Sequence, residues 1–244
     1  MFPFFRQINP FIEQFVSFLV GEKCYLCGQM GSFICESCFL KLPFVRGHTC
    51  IKCLTPIQGA DLNNNLICGE CLVNPPHFKQ VYAPFWYDDK LKDLIHDIKF
   101  RQKYYYITKI FTPIRERVSN FFNGLDLKKS FIVPVPLSRG RKITRGYNQS
   151  HLIAKELSKI IKIPVLNNYL IKTKELMPMM TLSREERFKN IKGAFSVAKK
   201  NSVDTIILVD DIITTTATVR EASYVLKKGG CNEIYVFALC RAKN

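Results

Sequence analysis

Eight of the ten cysteines fall into four C-x-x-C pairs, which are separated by spacers of 7, 11 and 14 residues. A two-residue gap lets both thiolates of a pair approach one tetrahedral Zn²⁺ at about 2.3 Å, and two pairs complete a closed four-cysteine site. We therefore predict two structural zinc ions, which stabilise the fold and have no open position for a reactive water. The predicted ligands are Cys24, Cys27, Cys35, Cys38, Cys50, Cys53, Cys68 and Cys71.

The sequence leaves alternatives open for these cysteines. A disulfide framework is the alternative to zinc, but no export signal accompanies the cysteines, and their confinement to short pairs favours metal. Either neighbouring pairs share an ion, or the first pair joins the third and the second joins the fourth.

Gly28 and Gly69 are expected to ease the turns at the pairs. Cys231 and Cys240 lie in an apolar C-terminal stretch, and we expect them to be buried core residues.

A second group of polar side chains follows the apolar run Ile-Ile-Leu-Val at 206–209. It begins with Asp210 and Asp211, and adjacent carboxylates at a strand end can accept hydrogen bonds from sugar hydroxyls or hold a hydrated Mg²⁺. Hydroxyls and backbone N–H groups at the start of a helix suit a phosphate monoester. The simpler alternative is that these residues only cap a helix. The residues in the threonine-rich stretch are Thr214, Thr215, Thr216, Ala217 and Thr218.

A third group is a basic segment that follows another apolar run. From residue 127 to residue 155 the chain contains seven basic residues and no acidic one. A loop this basic, placed after a strand, can clamp a diphosphate and neutralise charge that develops on it. A solvated surface loop is the alternative. The seven residues are Lys128, Lys129, Arg139, Arg141, Lys142, Arg145 and Lys155.

Apolar periodicity places these groups at the junctions of alternating strands and helices. We predict strands at 81–87, 131–135, 205–209 and 233–239, and helices at 91–101, 106–121, 150–161 and 219–228. This alternation indicates an α/β fold, with a largely parallel sheet covered by helices on both faces. In such sheets, ligands bind where strands end and helices begin.

The charge is unevenly distributed along the chain. The 36 Lys and Arg residues outnumber the 20 Asp and Glu residues by 16, yet residues 1–75 contain five of each and are neutral. A neutral cysteine-rich head on a strongly basic body suggests that the body contacts phosphates, either of a nucleic acid or of an anionic metabolite. An apolar content of 47% and a charged content of 23% argue against wholesale disorder and a polytopic membrane protein.

The N-terminal residues predict an amphipathic helix at 1–21. Polar residues interrupt its apolar residues, so it resembles neither a signal peptide nor a transmembrane segment. We expect its apolar face to pack against the protein, with peripheral membrane contact as the alternative. We predict that a zinc ribbon at 22–75 and an α/β domain at 77–244 follow this helix.

Taken together, the motifs resemble the ComF family of DNA-competence proteins, whose members look like type I phosphoribosyltransferases with an N-terminal zinc ribbon. The resemblance spans nearly the whole chain after residue 23. It is carried by the four C-x-x-C pairs, residues 87–100 ending in Ile-Lys-Phe, Val-Pro-Val-Pro at 133–136, Arg-Gly-Tyr-Asn-Gln at 145–149, residues 187–195 and residues 209–218.

The resemblance implies a site for phosphoribosyl pyrophosphate (PRPP) with Mg²⁺. Asp210 and Asp211 would contact the ribose hydroxyls, directly or through Mg²⁺-bound water, and residues 214–218 would wrap the 5′-phosphate. Arg145 would lie on a mobile flap over the diphosphate and act with the two aspartates in catalysis. Thr216 replaces the usual glycine of the phosphate loop, which is unfavourable if that position needs a positive φ. The implied pyrophosphate loop consists of Pro136, Leu137, Ser138 and Arg139.

The function implied is competence, in which the protein handles incoming single-stranded DNA in the cytoplasm with PRPP and magnesium as ligands. A DNA-uptake helicase and other competence proteins are the expected partners. One alternative is an active phosphoribosyltransferase for an unidentified nitrogenous acceptor, and another is a zinc-ribbon scaffold that docks a helicase or membrane partner. The expected DNA contacts are Arg139, Arg141, Lys142, Arg145, Lys99, Arg101 and Trp86.

Overall fold

The computed structural model describes residues 21–58, 66–125, 129–176, 182–199 and 202–243. The amphipathic helix predicted at 1–21 therefore lies outside the described residues, except for Gly21. The helices are α1 (Glu36–Leu40), α2 (Gly69–Val73), α3 (Asp89–Phe100), α4 (Tyr106–Phe122), α5 (Arg139–Arg145), α6 (Gln149–Ile161), α7 (Arg184–Ile191) and α8 (Ala217–Lys228). The strands are β1 (Gln80–Tyr82), β2 (Phe85–Tyr87), β3 (Ser130–Pro134), β4 (Leu170–Lys172), β5 (Phe195–Val197), β6 (Val203–Ile213) and β7 (Cys231–Ala242).

Five of these strands form a parallel sheet. Its order is β1-β7-β6-β3, and β2 also pairs with β7, so β1 and β2 follow one another along the same edge of that strand. The central strands β6 and β7 are the longest, and their register places Ile213 opposite Arg241. The predicted α/β class, with a parallel sheet, is confirmed.

Helices cover the sheet on both faces because successive side chains of a buried strand point in opposite directions. Ile207 and Val209 of β6 belong to a core shared with α3, α4 and α6. Ile206 and Leu208 belong to a second core shared with α8. Cys231 and Cys240 are buried, as predicted.

The cysteine-rich head contributes to both cores. We call residues 22–42 knuckle 1, and residues 48–58 with 66–73 knuckle 2. Phe33 and Leu42 of knuckle 1 join the core beneath α3 and α4. Cys50, Cys53 and Cys71 of knuckle 2 join the core that contains α8. The head is thus anchored on opposite faces of the sheet.

Three features differ from the predicted elements. The single strand at 81–87 is two short strands, because the chain leaves the ladder at Ala83 and Pro84, and proline has no N–H to donate to it. The basic loop after β3 contains the helix α5, which ends at Gly146 with a φ of 76°. The strand predicted at 205–209 continues to Ile213, so Asp210 and Asp211 lie within β6.

A small element was not predicted at all. Strands β4 and β5 pair antiparallel, separate from the main sheet. Each has only three residues, too few to show a clear alternation of apolar and polar side chains. We call this pair of strands the hood. Lys172 of the hood, and Glu175 just after it, contribute to the site described below.

Candidate functional site: two cysteine clusters and a strand-end pocket

The eight paired cysteines gather into two clusters of four. Within each cluster the sulfur atoms all lie within 4.8 Å of one another. Tetrahedral coordination at a Zn–S distance of about 2.3 Å requires sulfurs about 3.8 Å apart. The Sγ atoms of Cys27 and Cys35 are 3.6 Å apart, as are those of Cys53 and Cys68. Both clusters therefore fit zinc, and neighbouring pairs share a site, which rules out the crossed arrangement.

The two clusters are built in the same way. The first pair of each sits in a turn that ends with a positive φ, 78° at Gly28 and 59° at Leu54. The N–H groups of these two residues donate to the carbonyls of Cys24 and Cys50 at 2.8 and 2.9 Å. The second pair of each begins a short helix, with its first cysteine as the N-cap.

One glycine predicted to ease a turn has a different position. Gly69 is the first residue of α2. The left-handed position in knuckle 2 is taken instead by Leu54, a residue that sequence reasoning could not single out because leucine rarely adopts this conformation.

The carboxylates of Asp210 and Asp211 lie near the end of β6 and have different partners. The Ser150 hydroxyl donates to Asp210 Oδ1 at 3.2 Å, and the Asp211 N–H donates to the same oxygen at 2.9 Å. Asp211 Oδ2 lies 2.6 Å from the Lys99 ammonium. Burial, followed by the charge of Asp211, raises the pKa of Asp210 to about 7. Asp210 is thus placed to exchange a proton for a cation near neutral pH.

The residues that follow form a loop into α8, which we call the threonine loop (residues 214–218). A small pocket at this point is lined by Asp210 and residues 212–219. Thr214 is exposed, whereas Thr215 and Thr216 are buried. Thr216 has a φ of 65° and precedes the first turn of α8. The position at which threonine replaces the usual glycine therefore does have a left-handed backbone. The loop places backbone N–H groups and the positive end of the α8 dipole beside the two carboxylates.

The predicted pyrophosphate loop lies on the neighbouring strand. The Val135 N–H donates to the Val209 carbonyl at 2.8 Å, which holds the ends of β3 and β6 together. Pro136 and Leu137 are half-buried, Ser138 is buried as the N-cap of α5, and only the backbone of Arg139 is described.

The first turn of α5 is already occupied by a carboxylate. The Gly140 N–H donates to Oε1 of Glu175 at 3.0 Å. The Glu175 carboxylate therefore occupies a position where an anion is favoured, next to the predicted pyrophosphate loop.

The turn between α5 and α6 connects three elements around the pocket. The Tyr147 hydroxyl donates to the Ile98 carbonyl at the end of α3. The Asn148 amide donates to the Val135 carbonyl at 2.9 Å, and Ser150 reaches Asp210 as described above. Tyr147, Asn148 and Ser150 therefore each join a different element to the site.

Arg145 is the last residue of α5 and interacts electrostatically with Asp211. Its guanidinium lies over the Phe100 ring at 4.9 Å from the centroid and donates to Gln149 at 3.2 Å. Burial lowers the pKa of Arg145, while the negative charge of Asp211 opposes this effect. The predicted flap residue is therefore half-buried and next to the carboxylates, in a position to meet a bound anion.

Two further site residues were missed or given another role. Lys99, predicted to contact DNA, instead pairs with Asp211; its place in the Ile-Lys-Phe motif was the available signal. Lys172 of the hood had no signal, since it lies in no recognised motif. Burial lowers the pKa of Lys172, the charge of Arg141 lowers it further, and Asp210 opposes the effect. Lys172 thus lies within electrostatic range of Asp210.

The remaining predicted DNA contacts are unequally accessible. Trp86 is only 6% exposed, so we leave it out of the nucleic-acid surface proposed below. Arg141 is half-buried and Lys142 is exposed, both on α5. Arg101 is exposed and pairs with Asp97 at 3.1 Å.

Exposed aromatic rings lie beside these cations. Phe100 and Tyr104 are 54% and 46% exposed. Tyr104 packs edge to face against Tyr147, with ring centroids 5.6 Å apart. Basic and aromatic side chains are thus mixed around the ends of α3 and α5.

Comparison with known proteins gives matches over most of the chain. A family model described as a double zinc ribbon domain matches residues 15–72. "Competence protein F" of Haemophilus influenzae is 33% identical over 224 residues, covering 86% of this chain and 98% of that protein. "DNA utilization protein YhgH" of Escherichia coli K12 is 30% identical over 231 residues, covering 91% and 98%. "Competence protein ComFC" of Bacillus subtilis is 29% identical over 221 residues, covering 86% and 84%.

Among solved structures, an adenine phosphoribosyltransferase matches 55% of this chain and 69% of its own, at 18% identity and a TM-score of 0.34. Within the part of the chain that the structure describes, no helix is long and apolar enough to cross a membrane.

Proposed function

The chain belongs to the ComF family of competence proteins, and on this basis we propose that it handles incoming single-stranded DNA during natural transformation and binds PRPP with Mg²⁺ at the end of β6. The observation that carries the proposal is the small pocket in which Asp210 meets the threonine loop, with Asp211 adjacent in the chain. Carboxylates next to an N–H-rich loop match a molecule with ribose hydroxyls and a 5′-phosphate.

The chemistry of the donors fits this ligand. Asp210 and Asp211 supply the carboxylate oxygens that a hydrated Mg²⁺ prefers, and Mg²⁺ would neutralise part of the charge of a diphosphate. The N–H groups of residues 214–218 would receive the 5′-phosphate. Arg145 and Lys172 add positive charge that acts on Asp211 and Asp210, respectively.

Two contacts have to rearrange when the ligand enters. The Lys99 ammonium occupies one oxygen of Asp211, and the carboxylate of Glu175 occupies the N–H of Gly140. We infer that Lys99 turns from Asp211 toward the ligand's negative charge and that Glu175 leaves as the diphosphate arrives. The first exchange replaces one ionic contact of Lys99 by another, and the second replaces one anion by another at the Gly140 N–H.

The DNA surface is proposed to lie at the rim of this pocket. Arg141 and Lys142 provide charge for the phosphate backbone, and Phe100 and Tyr104 are exposed aromatic residues against which bases can stack. A net charge of +16, all of it after residue 75, supports polyanion binding by the α/β domain.

Salt dependence tests this surface. Replacing Arg141→Gln and Lys142→Gln together should reduce the log–log salt slope for an oligothymidine strand by about 1.4, since each neutralised phosphate contributes about 0.7 for single strands. The matched control is Lys189→Gln with Lys192→Gln, two exposed lysines at the end of α7. Fluorescence anisotropy from 50 to 300 mM salt measures both slopes. An unchanged slope in the α5 variant would remove α5 from the DNA surface.

A second candidate function is transfer of phosphoribose to a nitrogenous acceptor. It is favoured by the two cations, Lys99 and Arg145, that lie beside Asp211, because catalysis in this chemistry consists mainly of positioning and charge stabilisation. Pyrophosphate would leave the anomeric carbon as the nitrogen attacks. Release of pyrophosphate that depends on both PRPP and an acceptor, and that disappears in Asp210→Ala with Asp211→Ala, would establish this activity.

A further inference from the structure

Two arginines connect knuckle 2 to the threonine loop, and the first is Arg241 in β7. This residue is only 1% exposed. Its guanidinium donates to the carbonyl of Cys53 at 3.0 Å and to the hydroxyl of Thr55 at 3.2 Å. It also donates to the carbonyl of Ile213 at 3.1 Å and to that of Thr214. One buried cation thus joins a zinc-ligand residue to the start of the threonine loop.

The second arginine is Arg220, one turn into α8. Its Nε donates to the Thr216 hydroxyl at 3.0 Å, and its Nη2 donates to Cys71 Sγ at 3.2 Å. Its Nη1 donates to the Asn74 carbonyl at 2.6 Å, just beyond α2. The planar fork of arginine makes these contacts in one fixed arrangement, which a lysine could not reproduce.

Thr216, whose hydroxyl accepts from Arg220, has a strained backbone. Thr216 is β-branched and has a φ of 65°, a conformation that such a residue keeps only when its surroundings hold it there. Its hydroxyl was expected to offer a further contact to phosphate, but it accepts from Arg220 inside the protein. The contact therefore stabilises the backbone shape that the loop needs.

We propose that Arg220 and Arg241 are positioning residues through which zinc binding at knuckle 2 sets the geometry of the threonine loop, so that zinc at knuckle 2 and phosphate at the loop favour each other. Zinc fixes the sulfurs of Cys53 and Cys71, and donors to ligand residues keep these in place. The phosphate part of the inference rests on the proposed function. The effect of zinc on the geometry of the threonine loop does not depend on the proposed function.

Knuckle 1 provides an internal control, because its contacts lie on other elements. Glu22 forms an ion pair with Lys109 of α4, and the Tyr25 hydroxyl donates to Asp97 of α3 at 3.2 Å. Loss of zinc from knuckle 1 should therefore leave the threonine loop in place.

The first test needs no ligand. Amide hydrogen exchange of the peptide covering residues 212–219 is measured in the full-length zinc-loaded protein. Arg220→Ala and Thr216→Ala should each raise its exchange rate about tenfold, since each removes a charge-assisted hydrogen bond that holds the loop. Thr216→Ser keeps the hydroxyl and should restore the slow exchange. Arg117→Ala, an exposed arginine over the Phe44 ring beside knuckle 1, is the matched control.

The second test measures the coupling itself. In the Cys27→Ser background, where knuckle 1 is disabled, release of the remaining zinc to a chromogenic chelator reports on knuckle 2. PRPP with Mg²⁺ should slow this release at least fivefold, because a phosphate that holds the threonine loop also holds Thr216 and, through it, Arg220 against Cys71. Arg220→Ala should abolish the slowing even at saturating PRPP.

The outcomes separate the two proposals. Wild-type exchange rates at 212–219 in both Arg220→Ala and Thr216→Ala would overturn the coupling, whatever the ligand does. Zinc release that PRPP leaves unchanged, although calorimetry shows PRPP bound, would also overturn it. Failure of the wild type to bind PRPP would contradict the proposed function, and the exchange data would still decide whether the arginines position the loop.

Discussion

The two knuckles share one ligand pattern but differ in how they join the rest of the protein. In knuckle 1, Cys27 is exposed, and the attachment combines aromatic packing, with the Phe33 and Tyr106 rings 4.7 Å apart, with polar contacts to α3 and α4. In knuckle 2, three of the four cysteines are buried, and the attachment includes the directional hydrogen bonds of Arg220 and Arg241. Apolar packing tolerates small displacements, whereas a guanidinium fork specifies where each acceptor must lie. The difference suggests that knuckle 1 is an anchor and that knuckle 2 is part of the site.

The largest effect on stability is expected when one zinc ligand is removed from each knuckle in turn. Cys53→Ser should lose a zinc ion and lower the unfolding midpoint by about 10 °C or more, because structural zinc contributes directly to folding and this cysteine is buried in the core. Cys27→Ser should also lose one zinc but cost only a few degrees. Elemental analysis with scanning calorimetry measures both changes. Equal losses of stability would remove the distinction between anchor and site.

The next largest effect concerns Arg241, the buried arginine that links β7 to knuckle 2. Arg241→Met should lower the free energy of unfolding by about 3–5 kcal/mol, since it leaves several buried carbonyls without their donor. Lys243→Met, an exposed cation two residues further on that lies over the Trp86 ring, should change it by less than about 1 kcal/mol. Urea denaturation at constant zinc compares the two variants. A small effect of Arg241→Met would mean that the polar link is dispensable.

The third prediction concerns Asp210, near the end of β6 that knuckle 2 adjoins. A carboxylate kept there for ligand binding should lower the free energy of unfolding. The raised pKa of Asp210 means that the native state holds this proton more tightly than the unfolded chain does. Stability from this group is therefore present at low pH and is lost as the pH rises from about 4 to about 7. Asp210→Asn should remove that loss and increase the free energy of unfolding at pH 8 by about 2–4 kcal/mol, with little change at pH 4.

The control for this pH experiment is Asp204→Asn, an exposed residue at the start of the same strand. Its unfolding free energy should follow the wild type at both pH values in urea titrations. A stability gain of the same size at pH 4 and pH 8 in Asp210→Asn would contradict a buried, titrating carboxylate.

The smallest effect is expected in knuckle 1. Tyr25→Phe removes the hydroxyl that donates to the buried Asp97, which also accepts from Arg101. The loss should be about 1 kcal/mol because Asp97 keeps a charged partner. PRPP affinity, measured by calorimetry, should match the wild type. A tenfold weaker affinity would show that knuckle 1 also reaches the site.

Local patterns were sufficient to predict much of this molecule. Cysteine spacing predicted the zinc centres because ligand geometry depends on a two-residue gap within each pair. The apolar run before Asp210 located the end of a strand, and the glycine replaced by Thr216 correctly marked a position with positive φ.

Long-range contacts account for what was not predicted. Arg220 and Cys71 are 149 residues apart, and Arg241 and Cys53 are 188 apart, so no local pattern joins them. Nor does the sequence distinguish a basic loop from the short helix α5, since its Gly140 weakens helix propensity. Trp86 stands among basic residues in the sequence, yet it lies in β2 and is only 6% exposed, and its backbone N–H donates to the Pro43 carbonyl at 2.7 Å.

The most direct test of the central claim is a crystal structure of the zinc-loaded protein with PRPP and Mg²⁺. We expect the 5′-phosphate within hydrogen-bonding distance of the N–H groups of residues 214–218 and the ribose hydroxyls at Asp210 and Asp211. Thr216 should keep its positive φ, and Glu175 should have moved from Gly140. A ligand bound elsewhere, or a pocket that stays empty at saturating PRPP, would contradict the account.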